Sequence, residues 1–360
     1  MRLERIVPGR RPSPELAGAV LTRDLVVDGG RWAKGRRLTA ADLAALGTSG
    51  VRVEGGPRSI ASSGIAVLVL EPGDVHEDAA AERLATLVAG PGLVRRGPAE
   101  SRIDLLAAHD GVVHIRSQVI ERLDRIDPLE VFTLFDGQVV RSGDLVASVK
   151  VAPHIVSGAT LDRAARVVAR LGVAGPVSVA PFVPRRVAAV VKESLHAPAR
   201  ERFETSVRLK VESLGSELVR VVYVEDDPET VTDALAQLAV GRGEARVDLV
   251  LTAGSASTDP SDPFFVAIER LGGRVVRHGV PAHPGSMLWL ARIGRTDLLG
   301  LPTCGAYSKA TAADLLLPRL LSGERASAAT VARLGVGGIL TRSMRFRFPP
   351  YARELDAPEG

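Results

Sequence analysis

Two aspartates, Asp259 and Asp262, stand three residues apart in the polar segment A-G-S-A-S-T-D-P-S-D, which follows the apolar run V-D-L-V-L-T. A plain connection between a strand and a helix needs fewer residues and less polarity than this segment has. Its glycine allows a ligand close to the backbone, and exposed amides ahead of a helix favour an anion. The segment therefore predicts a binding loop, with these candidate ligand contacts: Gly254, Ser255, Ser257 and Thr258.

The two aspartates have both structural and chemical interpretations. Asp262 directly precedes Pro263, which is a strong signal for a helix N-cap, and Asp259 beside Pro260 fits a turn. Alternatively, the two carboxylates hold a divalent cation, or one of them positions a reacting group near a bound phosphate. Because a bare carboxylate repels phosphate, the chemical interpretation requires a metal ion or a nearby arginine. Both residues are thus candidate metal ligands and candidate catalytic residues.

A second loop, P-A-H-P-G-S-M at 281–287, has the composition of a turn. A third, G-L-P-T-C-G-A-Y-S-K at 300–309, precedes a helix for which Ser308 is a candidate cap. Lys309 in the first turn of that helix opposes the helix dipole, which makes it a candidate phosphate contact. Cys304 is either a small buried thiol or a nucleophile.

The elements around these loops alternate regularly from residue 183 onward, strand then helix. Such alternation predicts an α/β fold, with a three-layer α/β/α domain over 183–325 built on a mainly parallel sheet. Ligands of these sheets bind beyond the carboxyl ends of the strands, which is where the three loops fall. The preceding chain reads as an α+β region over 1–95 and a strand-rich region over 96–182. Residues 326–360 are predicted to be a tail, in which R-S-M-R-F-R-F forms an edge strand or an arm on a neighbouring subunit.

Composition limits the classes of protein to which this chain can belong. A chain of 360 residues with 46% hydrophobic residues predicts two or three globular domains. The net charge of +4, without a dense basic run, argues against nucleic acid as a partner. The single cysteine excludes an intrachain disulfide, and no apolar run reaches the ~20 residues of a membrane span. We therefore expect a cytoplasmic protein with no membrane contact. No P-loop, zinc spacing, G-x-S-x-G or G-x-G-x-x-G signature after a strand is present.

Taken together, the three loops resemble those of the molybdopterin-binding domain family, the MoeA/MogA-like fold of molybdenum cofactor biosynthesis. The matching segments are A-G-S-A-S-T-D-P-S-D, H-G-V-P-A-H-P-G-S-M and G-L-P-T-C-G-A-Y-S-K, and the likeness covers about 183–323. The resemblance implies that Asp262 matches the essential aspartate of the family. It extends the candidate ligand contacts to Pro284, Gly285, Ser286, Pro302, Thr303, Cys304, Gly305, Ser308 and Lys309.

The resemblance also implies ligands and partners. The ligand would be molybdopterin or its nucleotide form, with Mg²⁺ assisting adenylyl transfer or molybdate insertion. A homodimer, and a nucleotidyltransferase or a molybdoenzyme as protein partner, are further expectations. A related subgroup joins a similar front half to a nucleotidyltransferase domain, and no such domain is expected within these 360 residues.

The chain departs from the family pattern at three places. Ala253 replaces a glycine, Ser286-Met287 replace Lys-Pro, and Thr303-Cys304-Gly305 replace Gly-Asn-Pro. Losing a lysine and an asparagine removes polar contacts that catalytic members use, so binding can survive where catalysis does not. Three functions stay open: a cofactor-biosynthesis enzyme, a non-catalytic carrier or sensor of the cofactor, and a nucleotide pyrophosphatase of the competence-protein type.

Overall fold

A computed structural model describes residues 1–54, 64–170, 172, 175–192, 196–241, 243, 246–255, 257–302, 310–325 and 327–353. The chain folds into two compact units. The first comprises residues 1–108, 115–134 and 143–178, and the second comprises residues 109–114, 135–142 and 179–360. The second unit is thus assembled from three separate stretches of the sequence.

The strands are β1 (Arg2–Ile6), β2 (Val20–Leu21), β3 (Leu25–Val27), β4 (Gly30–Trp32), β5 (Val53–Glu54), β6 (Ile65–Val69), β7 (Asp74–His76), β8 (Leu93–Ala99), β9 (Arg102–Ala107), β10 (Gly111–Ile115), β11 (Leu129–Thr133), β12 (Val139–Val140), β13 (Leu145–Val151), β14 (Ile155–Ser157), β15 (Val177–Pro181), β16 (Arg186–Val191), β17 (Glu217–Tyr223), β18 (Leu249–Ala253), β19 (Arg274–His278), β20 (Trp289–Ile293) and β21 (Thr296–Gly300). The α-helices are α1 (Ala40–Gly47), α2 (Glu77–Val88), α3 (Ser117–Asp124), α4 (Gly158–Arg170), α5 (Ala197–Glu212), α6 (Pro228–Leu235), α7 (Pro263–Arg270), α8 (Ala312–Leu321), α9 (Ala328–Ala332) and α10 (Pro350–Arg353).

The first unit is a mixture of small antiparallel sheets and helices. Its largest sheet has the order β11-β13-β9-β8, and α2 packs against β13, β9 and β8. A separate core gathers the side chains of the N-terminal part, among them Ile6, Leu21, Leu46 and Val67. Thr39 is the N-cap of helix α1, and its side chain and that of Asp42 form a reciprocal capping box.

The second unit is built on a six-stranded sheet of order β17-β16-β18-β21-β20-β19. The first four strands are parallel, and β20 and β19 add an antiparallel edge through the hairpin at Gly294-Arg295. The register aligns Val191 with both Tyr223 and Ala253, and Thr252 with Gly300. The carboxyl ends of the four parallel strands therefore meet at one edge of the sheet.

Two apolar cores cover the faces of this sheet. Inward residues of β16 and β18 alternate between them: Val187, Ala189 and Val191 face α5 and α8, whereas Ala188 and Val190 face α6 and α7. Because both faces are covered, the strands read as continuous apolar runs. The predicted α/β class and the α/β/α domain with a mainly parallel sheet are confirmed.

A small sheet of order β12-β10-β15 contributes further strands, most of whose residues belong to the second unit. The tail differs from the prediction. Residues Arg342–Arg347 form a 3₁₀ helix, so the predicted edge strand is wrong. The guanidinium of Arg347 donates to the Gly337 carbonyl and lies over the ring of Phe135, which ties the segment down by its side chains instead of by a strand ladder.

Candidate functional site

The candidate site lies at the carboxyl ends of the parallel strands of the six-stranded sheet. We call the described residues that follow β16, β17 and β18 at this edge, namely Lys192, Asp226, Gly254, Ser255 and Asp262, the rim. Lys192 is the first residue after β16, and its backbone N–H donates to the carbonyl of Ala253 at 3.2 Å. Parallel pairing thus places a lysine beside the loop that the sequence marked as a binding loop.

At the centre of the rim, the Lys192 ammonium lies between two carboxylates. Its Nζ is 2.6 Å from Asp226 Oδ1 and 3.1 Å from Asp262 Oδ2. The side chains of Lys192 and Asp262 are 4% and 0% exposed, whereas that of Asp226 is 64% exposed. One carboxylate of the cluster is therefore fixed in the interior, and the other faces solvent.

Burial and the neighbouring charges shift the pKa of Lys192 in opposite directions. Burial lowers its pKa, but hydrogen bonds to Asp226 and Asp262 and the charges of these carboxylates outweigh it, so the pKa lies above its ordinary value. Lys192 is therefore a cation at neutral pH. A buried charge of this kind is stable only while its partners remain in place.

Asp262 has a second role as the N-cap of α7. Its Oδ1 accepts a hydrogen bond from the backbone N–H of Phe264 at 2.9 Å, and Pro263 occupies the first turn, as the sequence predicted. The cap and the ion pair use different carboxylate oxygens. The capping and the chemical interpretations of Asp262 therefore coexist in one side chain.

Asp259 lies apart from this buried pair. It is exposed, and its Oδ1 accepts hydrogen bonds from both the backbone N–H and the hydroxyl of Ser261, at 2.8 and 2.6 Å. These hydrogen bonds lower the pKa of Asp259, and the charge of Lys192 adds to the effect. The turn interpretation accounts for the hydrogen bonds that Asp259 makes.

The remaining first-loop candidates differ in exposure. Gly254 has a φ of 86°, a backbone conformation that glycine adopts readily. Ser255 accepts a hydrogen bond from Trp289 Nε1 at 3.0 Å, while Ser257 is half-buried and Thr258 is exposed. The indole of Trp289 thereby joins the first loop to the strand that follows the second loop.

The second loop packs against the start of α8. The Pro284 carbonyl accepts from the N–H of Ala312 at 2.9 Å, and a Cβ added at Gly285 would lie 2.9 Å from the same nitrogen. Pro284 and Gly285 are buried, and Ser286 is half-buried, its carbonyl accepting from Val280. In this segment Ser286 has the greatest solvent access of the three candidate residues.

The third loop is only partly described. Pro302 is buried, and the predicted contacts Thr303, Cys304, Gly305, Ser308 and Lys309 lie outside the described residues. The helix that follows begins at Ala312 and is capped by Thr311, with Asp314 completing a capping box. The cap of α8 is therefore three residues further along the chain than the Ser308 that was predicted.

The donor set does not fit the divalent cation that the family resemblance implies. Asp262 already contacts an ammonium with one oxygen and a backbone N–H with the other. Within the described parts of the chain, no group of three His, Cys, Asp or Glu side chains is placed to hold a metal ion. A hard cation needs several oxygen ligands, and the rim presents a lysine where such an ion would lie.

Sequence reasoning missed Lys192 and Asp226. Lys192 follows an apolar strand and Asp226 precedes a helix cap, so each alone looks like an ordinary terminal residue. The available signal was positional, since Lys192 directly follows β16 and Asp226 lies three residues after β17, at the same edge of the parallel sheet as the end of β18. Comparing the residues that follow all the predicted parallel strands would have identified both.

Comparison with known proteins supports the family assignment. Residues 186–322 match the model of the family described as the probable molybdopterin binding domain. These residues contain the six-stranded sheet and the rim. No curated protein matches the chain.

Solved structures give weaker likenesses. The molybdopterin biosynthesis MoeA protein from Pyrococcus horikosii is 17% identical, with 70% of this chain and 81% of that chain covered and a TM-score of 0.27. A molybdenum cofactor biosynthesis protein from Pyrococcus furiosus is also 17% identical, with 58% and 70% covered and a TM-score of 0.22. Among the described residues, no helix combines the length and apolar character that crossing a membrane requires.

Proposed function

We propose that this protein binds molybdopterin at the rim and acts in molybdenum cofactor biosynthesis. The observation that carries the proposal is the match of residues 186–322 to the probable molybdopterin binding domain. The rim lies within that match, at the strand ends where ligands of open parallel sheets bind. In this proposal the first loop and Ser286 contact the pterin and its phosphate.

The chemistry of the rim supports an anionic ligand. Lys192 is a buried cation beside Gly254 and the N-terminus of α7, and backbone amides at such a terminus favour a phosphate. Asp262 fixes the ammonium and caps the helix, so it acts as a positioning residue. Asp259 is exposed, and its Oδ1 is held by the hydrogen bonds from Ser261.

A second candidate is binding without turnover, as in a carrier or sensor of the cofactor. It is favoured by Ser286, which stands where catalytic members of the family carry a lysine in the second loop. A serine offers a hydroxyl but no charge, and so it stabilises the developing charge of a phosphoryl transfer less well.

Ligand content provides the test. The full chain is purified from a host that makes the molybdenum cofactor, and bound pterin is measured by fluorescence after oxidation and by mass spectrometry. We expect molybdopterin in the wild type and a loss of about tenfold or more in Asp262→Asn, since a hydrogen-bonded charge at a buried site is worth more than ~1.4 kcal/mol. A wild-type protein free of pterin contradicts the proposal.

The matched control is Asp297→Asn. Asp297 lies at the amino end of β21, in the same sheet but at the opposite edge, where it pairs with Arg292 at 2.7 Å. It should retain pterin. Adding ATP with Mg²⁺, or molybdate, to the loaded wild type then separates the two candidates, because product formation indicates an enzyme and its absence indicates a carrier.

A further inference from the structure

We propose that Lys192 is the resident cation of the rim and does there, without a divalent metal, what Mg²⁺ would otherwise do: neutralise the carboxylates and attract a phosphate. This inference rests on the proposed function for the identity of the ligand. The placement of the cation itself rests only on the geometry of Lys192, Asp226 and Asp262.

The first step of the argument is the position of the ammonium. Two carboxylates, Asp226 from the segment after β17 and Asp262 from the N-cap of α7, converge on Lys192 Nζ at 2.6 and 3.1 Å. Without the lysine, Asp226 and Asp262 would form an anionic pair of the kind that recruits a divalent ion. The cation is therefore built into the chain.

The second step is the asymmetry of the two carboxylates. Asp262 is fully buried and is held by the first turn of α7, so it cannot leave the ammonium. Asp226 is 64% exposed and can rotate into solvent at little cost. An incoming phosphate can replace Asp226 on the ammonium while Asp262 keeps the lysine in place.

The third step is the charge that the second loop lacks. Ser286 stands where the family pattern has a lysine, and lysine occurs in this chain only at 34, 150, 192, 210 and 309. Lys192 supplies a positive charge from β16, on the opposite side of β18 from the β20–β21 hairpin.

Mn²⁺ serves as the probe for the position of the cation, measured by the loss of its free EPR signal in the absence of pterin. We expect the wild type to show no Mn²⁺ binding that depends on Asp262. Lys192→Ala should gain a site at least about tenfold tighter than any in the wild type, because two carboxylates then face an open space. The double variant Lys192→Ala with Asp226→Asn should lose that gain. Lys192→Gln, which keeps length and a donor, replaces Lys192→Ala if the latter is unfolded by circular dichroism.

Pterin retention tests the role in ligand binding. The wild type should retain as much pterin when purified in EDTA as in Mg²⁺. Lys192→Gln should lose it, and Asp226→Asn should retain at least the wild-type amount because a competitor of the phosphate is weakened.

Retention that collapses in EDTA, or Mn²⁺ binding by the wild type that Asp262→Asn abolishes, overturns the inference. A folded Lys192 variant with no gain in Mn²⁺ binding also overturns it. Absence of pterin from the wild type in every buffer contradicts the proposed function, whereas the Mn²⁺ measurements still judge the position of the cation.

Discussion

Gly300 lies directly against the indole ring of Trp289, so that a Cβ at position 300 would come within 2.2 Å of the ring atoms Cε2 and Nε1. The two residues are partners across the β20–β21 pair. The absence of a side chain at Gly300 leaves room for the indole, whose Nε1 donates to the Ser255 hydroxyl. A glycine in the last strand thereby determines where the first loop is anchored.

Replacing Gly300 with alanine tests this relationship. The ring or the strand must move, so we expect a loss of about 1–3 kcal/mol of stability, as for overpacked cores. Chemical denaturation measures it, and near-UV circular dichroism should show a changed environment of the indole. Gly30→Ala is the control, because the nearest atom to its new Cβ would be at 3.4 Å. Equal stabilities of the two variants would show that the contact is unimportant.

Asp262→Ala should cost much more than an ordinary helix cap. Losing a cap costs ~1 kcal/mol, and leaving the buried Lys192 ammonium with a single exposed partner raises the cost to about 3 kcal/mol or more. Asp227→Ala is the matched comparison, since Asp227 also caps a helix that begins with proline. Denaturant titration of both variants measures the difference. If both lose the same ~1 kcal/mol, Asp262 is a cap and nothing else.

Lys210→Met should destabilise the second unit strongly. Lys210 and Asp314 form an ion pair whose side chains are 3% and 1% exposed, and the ammonium lies 5.5 Å from the ring centre of Tyr351. Removing one member of such a buried pair costs about 3–5 kcal/mol. Arg208→Met on the same helix breaks the exposed pair with Glu212 and should cost below ~0.5 kcal/mol. Thermal melting of the two variants side by side checks the contrast, which similar melting temperatures would refute.

His114 should make stability depend on mildly acid pH. Burial lowers its pKa, Arg319 and Arg333 lower it further, and Glu324, 3.8 Å away, and Asp136 oppose them. A histidine whose folded pKa is depressed stabilises the protein above its unfolded pKa of about 6.5, and this contribution is lost as pH falls through the folded value.

The wild type should therefore lose more stability between pH 7.5 and pH 5 than His114→Gln does. Melting temperatures of both proteins across this range provide the measurement. His109→Gln is a control, because His109 is half-buried and its Nδ1 donates to the backbone carbonyl of its neighbour Asp110. Parallel curves for wild type and His114→Gln would exclude this histidine as the source of any pH dependence.

Much of the fold could be predicted because local signals were strong and consistent. The apolar run that forms β18 indicated a buried strand, and Asp262-Pro263 marked a helix start that the structure contains. The tail failed because alternation of apolar and basic residues in Arg342–Arg347 fits a strand equally well. There, contacts of Arg347 with Gly337 and Phe135 decided the conformation, and they are invisible in the local sequence.

The site was predictable only in part. The glycine, hydroxyl and aspartate residues of the first loop indicated a binding loop, and the N-cap role of Asp262 was predicted. Its ion pair with Lys192 was not, because 70 residues separate the two in the chain and only the parallel pairing of β16 with β18 brings them together. The roles of the other predicted contacts stay predictions.

The interrupted make-up of the second unit has a consequence for its biogenesis. Arg319 is buried between Asp136, at 2.5 Å, and Glu324, at 2.8 Å. Asp136 leaves the ribosome some 180 residues before Arg319, so this salt bridge can form only after Arg319 has also been translated. A gene fragment that starts after residue 179 would encode Arg319 without that counter-ion. No single continuous piece of the coding sequence therefore encodes the second unit by itself.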